Sequence, residues 1–236
     1  GYKWRSAENV LGELDRLHAM GVKEIHFIDQ SFGANRERTL GLLEEMAKRR
    51  YGFGFTCWTR VDILDEEMAR ALKRAGCHTV LMGVETAKEE TLKRFGKGFT
   101  AERVKKSFRL AGEAGFRTLA TYMIGLPGEN RRDVLDTIDL ALELDTDYAS
   151  FNVVAPRVNT RLRSEAVERG WIGENTYTVD QSGSVPAFRN ESLSREEILE
   201  LRNLALRRFY GRAGYILRRI SGVRSAYELR NLLFTG

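Results

Sequence analysis

The stretch Arg117–Glu129, RTLATYMIGLPGE, is an apolar run that stops at Gly125-Leu126-Pro127-Gly128-Glu129, just where a helical pattern begins. It predicts a buried strand delivering a tight turn and a carboxylate. Glycine tolerates backbone angles and close approaches that a side chain would block, while Pro127 fixes its own φ and drives Leu126 out of the helical region. A turn so built offers its backbone to a ligand. Asn130 then caps a helix with Asp133 in its first turn and Val134, Ile138, Ala141 and Leu142 along one face. Taken alone, G-x-P-G is a stiff connector of a common kind, and its neighbours decide whether it is more.

Upstream, residues 6–20 predict a helix capped by Ser6, with Val10, Leu11, Leu14 and Leu17 as its apolar stripe and Gly21 as its stop. A strand over 23–28 ends in Asp29-Gln30, and Asn35 caps a helix carrying Leu40, Leu43, Met46 and Ala47. The next strand, 53–59, ends in Arg60 and Asp62, and Asp65 opens a helix with Met68, Leu72 and Ala75 inward. The strand over 79–84 ends in Glu85-Thr86, where Thr86 and Glu89 have capping-box spacing. Thr100 starts a helix that runs to Gly115. Downstream, the strand over 148–154 ends at Pro156-Arg157 and is followed by a short helix up to Gly170. Five strands alternating with helices at roughly thirty-residue spacing imply parallel strands with right-handed crossovers, in an open doubly wound sheet or a barrel.

The expected division is an α/β body over 1–170, an irregular connector over 171–193 leaving it, and a basic helical extension over 194–236. Ser194 and Glu197 form a second capping box, and the face of Ile198, Leu201, Leu204, Ala205 and Tyr210 behind it should pack on the body or on another part of a larger protein.

Composition narrows the function classes. The chain has 236 residues, 42% hydrophobic and 30% charged, the balance of a globular domain with a sizeable core. No window nears the roughly 18 uninterrupted apolar residues of a membrane span, and no signal-peptide order opens the chain, so a cytoplasmic location is expected. The two cysteines, Cys57 and Cys77, form no C-x-x-C pair and read as buried reduced thiols. His18, His26 and His78 lack metal-ligand spacing and read as structural. The net charge of +5 gathers in the arginines after Arg202, but no aromatic-interleaved basic stripe accompanies it, which argues against nucleic acid as partner. No P-loop, G-x-G-x-x-G, H-E-x-x-H or G-x-S-x-G occurs.

In parallel α/β proteins ligands sit at the carboxyl ends of the strands. Here those ends carry Asp29 and Gln30, Arg60 and Asp62, Glu85 and Thr86, Met123-Ile124-Gly125 through Glu129, and Pro156 with Arg157. Each acidic residue alone is a helix cap or a loop ion pair, and Arg60 alone a partner for Asp62 or Glu85. Together, carboxylates for an ammonium and an arginine fork for a carboxylate suit a small zwitterion, such as an amino-acid-like ligand.

WRSAENV, KEIHFIDQSFGANRER, the T-R-V-D of Thr59–Asp62 followed by DEEMARALKRAGC, VLMGVET, LKRFGKGFT and MIGLPGE occur in order across residues 4–157. In these phrases the chain resembles the radical S-adenosylmethionine superfamily, and within it the members fused to a cobalamin-binding domain. The resemblance implies a partial TIM-like barrel of six βα units. It also implies enzymes that use a 4Fe-4S cluster to cleave S-adenosylmethionine into methionine and a 5′-deoxyadenosyl radical, for methylation, cyclisation or rearrangement of a small organic substrate. An external electron donor such as flavodoxin or ferredoxin goes with that chemistry. By the same resemblance Asp29 and Gln30 hold the cofactor's amino group. Arg60 and Glu85 reach its carboxylate and ribose. Met123, Ile124, Gly125 and the turn to Glu129 lie against the adenine, and Pro156 closes that side.

The family's cluster motif, C-x-x-x-C-x-x-C, is absent, and Cys57 and Cys77 do not replace it. The expectation is therefore a truncated piece that lacks the first barrel strand and the cluster loop, is inactive by itself, and has an unpaired edge on the 23–28 strand. Any cobalamin module would lie upstream. A S-adenosylmethionine-binding or scaffold protein without a cluster, and an RNA-modifying relative, are the alternatives.

Overall fold

The computed structural model describes residues 3–176 and 183–221. Helix α1 (Ala7–Ala19) precedes β1 (Glu24–Phe27), α2 (Arg36–Arg49), β2 (Gly54–Thr59), α3 (Glu66–Arg74) and β3 (Cys77–Glu85). Then come α4 (Glu89–Arg94), α5 (Ala101–Glu113), β4 (Arg117–Ile124), α6 (Arg131–Leu144), β5 (Tyr148–Val153), α7 (Arg161–Glu168), α8 (Arg195–Tyr210) and α9 (Ala213–Ser221). The strands pair in chain order, every neighbour parallel, from Glu24 opposite Gly54 to Ile124 opposite Val153. A doubly wound sheet would reverse its strand order. This one advances strand by strand and curls into a half-barrel, the second of the two architectures the alternation allowed.

Local chemistry sets the helix starts. Ser6, Asn35, Asp65, Thr100, Asn130 and Ser194 each accept a backbone N–H from the first turn of the helix they precede, and Asn130 and Ser194 complete reciprocal boxes with Asp133 and Glu197. Each such cap is worth about 1 kcal/mol. Helix α4 differs, with Lys88 at its cap position and no side-chain hydrogen bond there. The Thr86–Glu89 box does not form: the Thr86 hydroxyl donates to Glu129 at 2.5 Å and accepts the Lys88 N–H.

One face of the sheet is sealed by helices. Phe55, Cys57, Val80, Met82, Val84, Ala120, Tyr122, Ile124, Phe151 and Val153 alternate along β2 to β5 and are essentially inaccessible. Leu11 and Leu14 of α1, Leu42, Leu43 and Met46 of α2, and Met68 and Leu72 of α3 join them in one core. Leu43 and Met46 are buried as expected and Leu42 joins them, whereas Leu40 and Ala47 are half-buried. The alternate strand residues, among them Thr56, Trp58, Leu81, Thr121, Met123, Ser150 and Asn152, are half-buried on the concave face.

The expected helical extension belongs to this same core. Helix α8 packs against α6, β4 and β5, burying Ile198, Leu201, Ala205 and Phe209, with Tyr215 of α9 behind. Phe209, not Tyr210, fills the core. The Tyr210 hydroxyl instead donates to the Ala149 carbonyl at 2.7 Å and accepts the Ala149 N–H. Residues 177–182 of the connector and 222–236 of the tail lie outside the described residues.

The described part of the connector has neither helix nor strand, but it does not leave the body. Trp171, Ile172 and Phe188 join Leu126, Val154 and Ala166 in a second small core. Val153 donates its N–H to the Gly183 carbonyl at 2.8 Å, placing the returning chain along β5. At the other side of the sheet β1 pairs with β2 alone among the described residues, so its outer edge is open as expected.

Candidate functional site

The carboxyl ends of the strands separate into two concavities. The first, about 280 Å³, lies at the tips of β3, β4 and β5 and is lined by Glu85, Thr86, Met123, Leu126, Val154 and Ala155. Thr91, Leu92 and Phe95 close it from α4 and the residue after it, Lys97 from the following loop and Leu162 from α7. The second, about 270 Å³, lies beyond β1 and is lined by Asp29 and Gln30, with Ser31, Asn35, Arg38 and the Lys3-Trp4 segment around them.

Glu85 owes its place to two backbone features. It adopts φ 70° at a break in the β3–β4 register, and Gly83 leaves free the space its carboxylate occupies. An added Cβ at Gly83 would lie 2.7 Å from Glu85 Oε1. The carboxylate turns back over its own strand and accepts a bond from Lys97 Nζ at 2.7 Å. Lys97 was not singled out from the sequence, although its setting between Gly96 and Gly98 marks a cation on a glycine-flanked turn. At the neighbouring tip Arg60 grips Asp62 through Nε at 2.8 Å and Nη2 at 2.7 Å, and this holds the Asp62 carboxyl below the usual range. Arg60 also lies over the Phe99 ring, 6.0 Å from its centroid.

Of the MIGLPGE turn, Met123 faces the first cavity, whereas Ile124 and Gly125 are buried on the helix side. Gly125 holds φ 85°, and an added Cβ would meet Ile198 of α8 at 2.8 Å. The space a side chain would need at Gly125 is therefore taken by α8. Pro156 is buried just past Val154 and Ala155.

Glu129 is likewise turned inward. It is only 1% exposed and does not reach either cavity. One carboxyl oxygen accepts the Thr86 hydroxyl and the other the Leu126 N–H at 3.1 Å. Burial pushes its pKa up to about 7, partly offset by those two donors. Thr86 lies 3.1 Å from Thr137 Oγ1, which accepts the Ala87 N–H at 2.9 Å. Glu129 thus fastens the β3 tip to the β4 turn and stands behind the cavity wall.

The remaining candidates are occupied elsewhere. His18 Nδ1 is 2.7 Å from the Tyr51 carbonyl, His78 Nε2 is 2.6 Å from Glu24, and His26 meets Thr56. Cys57 and Cys77 are buried free thiols, and a hydrogen bond to Cys77 together with burial pushes the Cys57 thiol up.

Comparison with known proteins agrees with this architecture. Residues 1–141 match the model of the radical SAM superfamily. An uncharacterized methyltransferase of Pyrococcus horikoshii is 33% identical over 202 residues, covering 83% of this chain and 44% of that protein. The radical S-adenosylmethionine methyltransferase TsrM from Kitasatospora setae, solved with cobalamin and a 4Fe-4S cluster bound, is 26% identical with a TM-score of 0.64 over 70% of this chain and 32% of its own. OxsB, a cobalamin-dependent S-adenosylmethionine radical enzyme, shares the fold at 17% identity, with a TM-score of 0.65 over 97% of this chain and 40% of its own. The chain thus spans less than half the length of each. With a half-barrel of parallel strands, ligand-sized hollows at their carboxyl ends and a family match over most of the barrel, the chain belongs to the radical SAM superfamily.

Proposed function

We propose that this chain is the S-adenosylmethionine-binding body of a radical enzyme, with the adenosyl group in the cavity at the β3–β5 tips. The observation that carries the proposal is the cavity itself, with Met123, Leu126, Val154 and Leu162 as apolar walls and Glu85 and Lys97 as a charged lip. A flat base fits between apolar walls, and ribose hydroxyls donate to a carboxylate. Asp29 and Gln30, in the neighbouring hollow, would take the ammonium end, and Arg60 the carboxylate. Glu129 and Gly125 then act as frame, as do Ile124 and Pro156. Reduced by one electron, S-adenosylmethionine supplies the radical that such enzymes use.

The cluster that delivers the electron does not fit this chain. Three thiolates are needed, and its two cysteines are both buried on or beneath the helix-covered face. We propose that the cluster ligands come from outside these 236 residues and that the chain alone is inactive. A small organic substrate, a protein electron donor such as flavodoxin or ferredoxin and a cytoplasmic setting complete the proposal, with cobalamin on a separate module. Among the described residues no helix is long and apolar enough to cross a membrane.

The test is calorimetric titration of the chain with S-adenosylhomocysteine. Saturable binding is expected, and Glu85→Ala should weaken it about tenfold while leaving the unfolding midpoint within error, the loss of a charge-assisted hydrogen bond. Undiminished affinity in Glu85→Ala would remove Glu85 from the site, and no binding by the unaltered chain would remove the site.

A further inference from the structure

We infer that Asn190 is a positioning residue for the cavity at the β3–β5 tips, acting through the Leu126 peptide. It belongs to the stretch that composition marks as a connector, yet it is only 1% exposed. Its Nδ2 donates to the Leu126 carbonyl and to the Glu129 carbonyl, both at 3.0 Å. Its Oδ1 accepts the Ser192 N–H at 2.9 Å and the Leu193 N–H at 2.7 Å. Two backbone donors on one side and two backbone acceptors on the other fix which amide atom is which.

The consequence falls on Leu126. Its side chain is a wall of the cavity, and its peptide is held from both directions: the N–H by the Glu129 carboxylate, the carbonyl by Asn190 and by the Glu129 N–H at 3.1 Å. Leu126 follows Gly125 and precedes Pro127, so the turn's backbone is committed by residues that touch no ligand themselves. Asn190 is the distal half of that grip. It ties the cavity wall to the beginning of α8, whose Ile198 fills the space over Gly125. A rigid wall lowers the ordering cost of binding, so loosening it weakens a ligand that contacts neither Asn190 nor Glu129.

This inference rests on the adenosyl assignment only for the identity of the ligand, and the test separates the two. Asn190→Asp keeps the acceptor that folds residues 190–193 but turns an oxygen toward the Leu126 and Glu129 carbonyls. Asn190→Ser keeps a shorter acceptor for the same local turn and cannot span to those carbonyls. In the full chain, amide hydrogen exchange over residues 124–130 and calorimetric affinity for 5′-methylthioadenosine are measured for both variants beside the unaltered protein. Faster exchange over 124–130 in both, with affinity reduced about tenfold, is the expected result. Exchange as slow as in the unaltered protein in either folded variant overturns the inference, because a purely local turn role is preserved in both. If the unaltered chain ignores 5′-methylthioadenosine, the adenosyl assignment fails, and the exchange pattern still decides whether Asn190 holds Leu126.

Discussion

Replacing Glu129 by glutamine should flatten the pH dependence of stability. The carboxyl is buried, and its pKa is pushed up to about 7 from an ordinary 4.5. In the unfolded chain it ionises near the ordinary value, so between these limits the folded protein retains a proton that the unfolded chain has lost. Stability supplied by this group is complete below pH 4.5, declines as pH rises, and is gone above about 7. At about 1.4 kcal/mol per unit the difference amounts to roughly 3 kcal/mol. Glutamine preserves the connections: its carbonyl accepts the Leu126 N–H, and its amide donates to Thr86, whose own proton turns to Thr137. Urea unfolding followed by circular dichroism at pH 5 to 8 should give curves that converge at the acid end. At the alkaline end the variant should be more stable, by up to about 3 kcal/mol. Asp62, Asp65 and Asp133, whose carboxyls sit below their ordinary range, titrate alike in both proteins and cancel in the difference. Parallel curves across the whole range would refute a buried proton on Glu129.

Two further outcomes follow from the same geometry. Gly125→Ala places a Cβ 2.8 Å from Ile198 at φ 85° and should cost about 2 kcal/mol of unfolding free energy; an Ile198→Ala background should shrink that cost, and an equal loss in both backgrounds would exclude the clash. Cys57 and Cys77 are 0% and 2% exposed and the Cys57 thiol is pushed up, so an aromatic disulfide reagent should find no reactive thiol in the native chain and two in denaturant. Rapid native labelling of either would contradict their packing.

What the sequence disclosed well was whatever depends on near neighbours. Ser6, Asn35, Asp65, Thr100, Asn130 and Ser194 cap the helices expected of them because a cap answers to donors two or three residues ahead. The alternation of strands with helices likewise showed that the strands run parallel, with their carboxyl ends on one side. Thr86 shows where such reasoning fails: its spacing to Glu89 satisfies a local box, but Glu129, 43 residues on, offers a buried carboxylate and wins the hydroxyl. Asn190 fails to announce itself for the same reason, since Gly, Ser and Pro around it say nothing about carbonyls 61 and 64 residues away. For Glu129 and Gly125, residue type does not tell whether a turn serves a ligand or packs inward, because Thr86 and Ile198 beside them are distant in sequence.

That distinction can be drawn from burial. The Lys97–Glu85 pair has side chains 31% and 20% exposed, and the Arg60–Asp62 pair 35% and 36%. Pairs this open contribute at most about 1 kcal/mol, so a ligand bringing ribose hydroxyls to Glu85 and a carboxylate to Arg60 can exchange into them at little cost. The Thr86–Glu129–Leu126 network cannot be exchanged in that way. Opening it would strand a buried hydroxyl and a buried N–H, at about 1 to 3 kcal/mol each. Charges at the lip that trade partners, mounted on a buried network that does not, are the division of labour expected where binding must be reversible and the cavity must hold its shape. On that ground we propose Glu85 and Arg60 as ligand contacts, and Glu129 and Asn190 as frame.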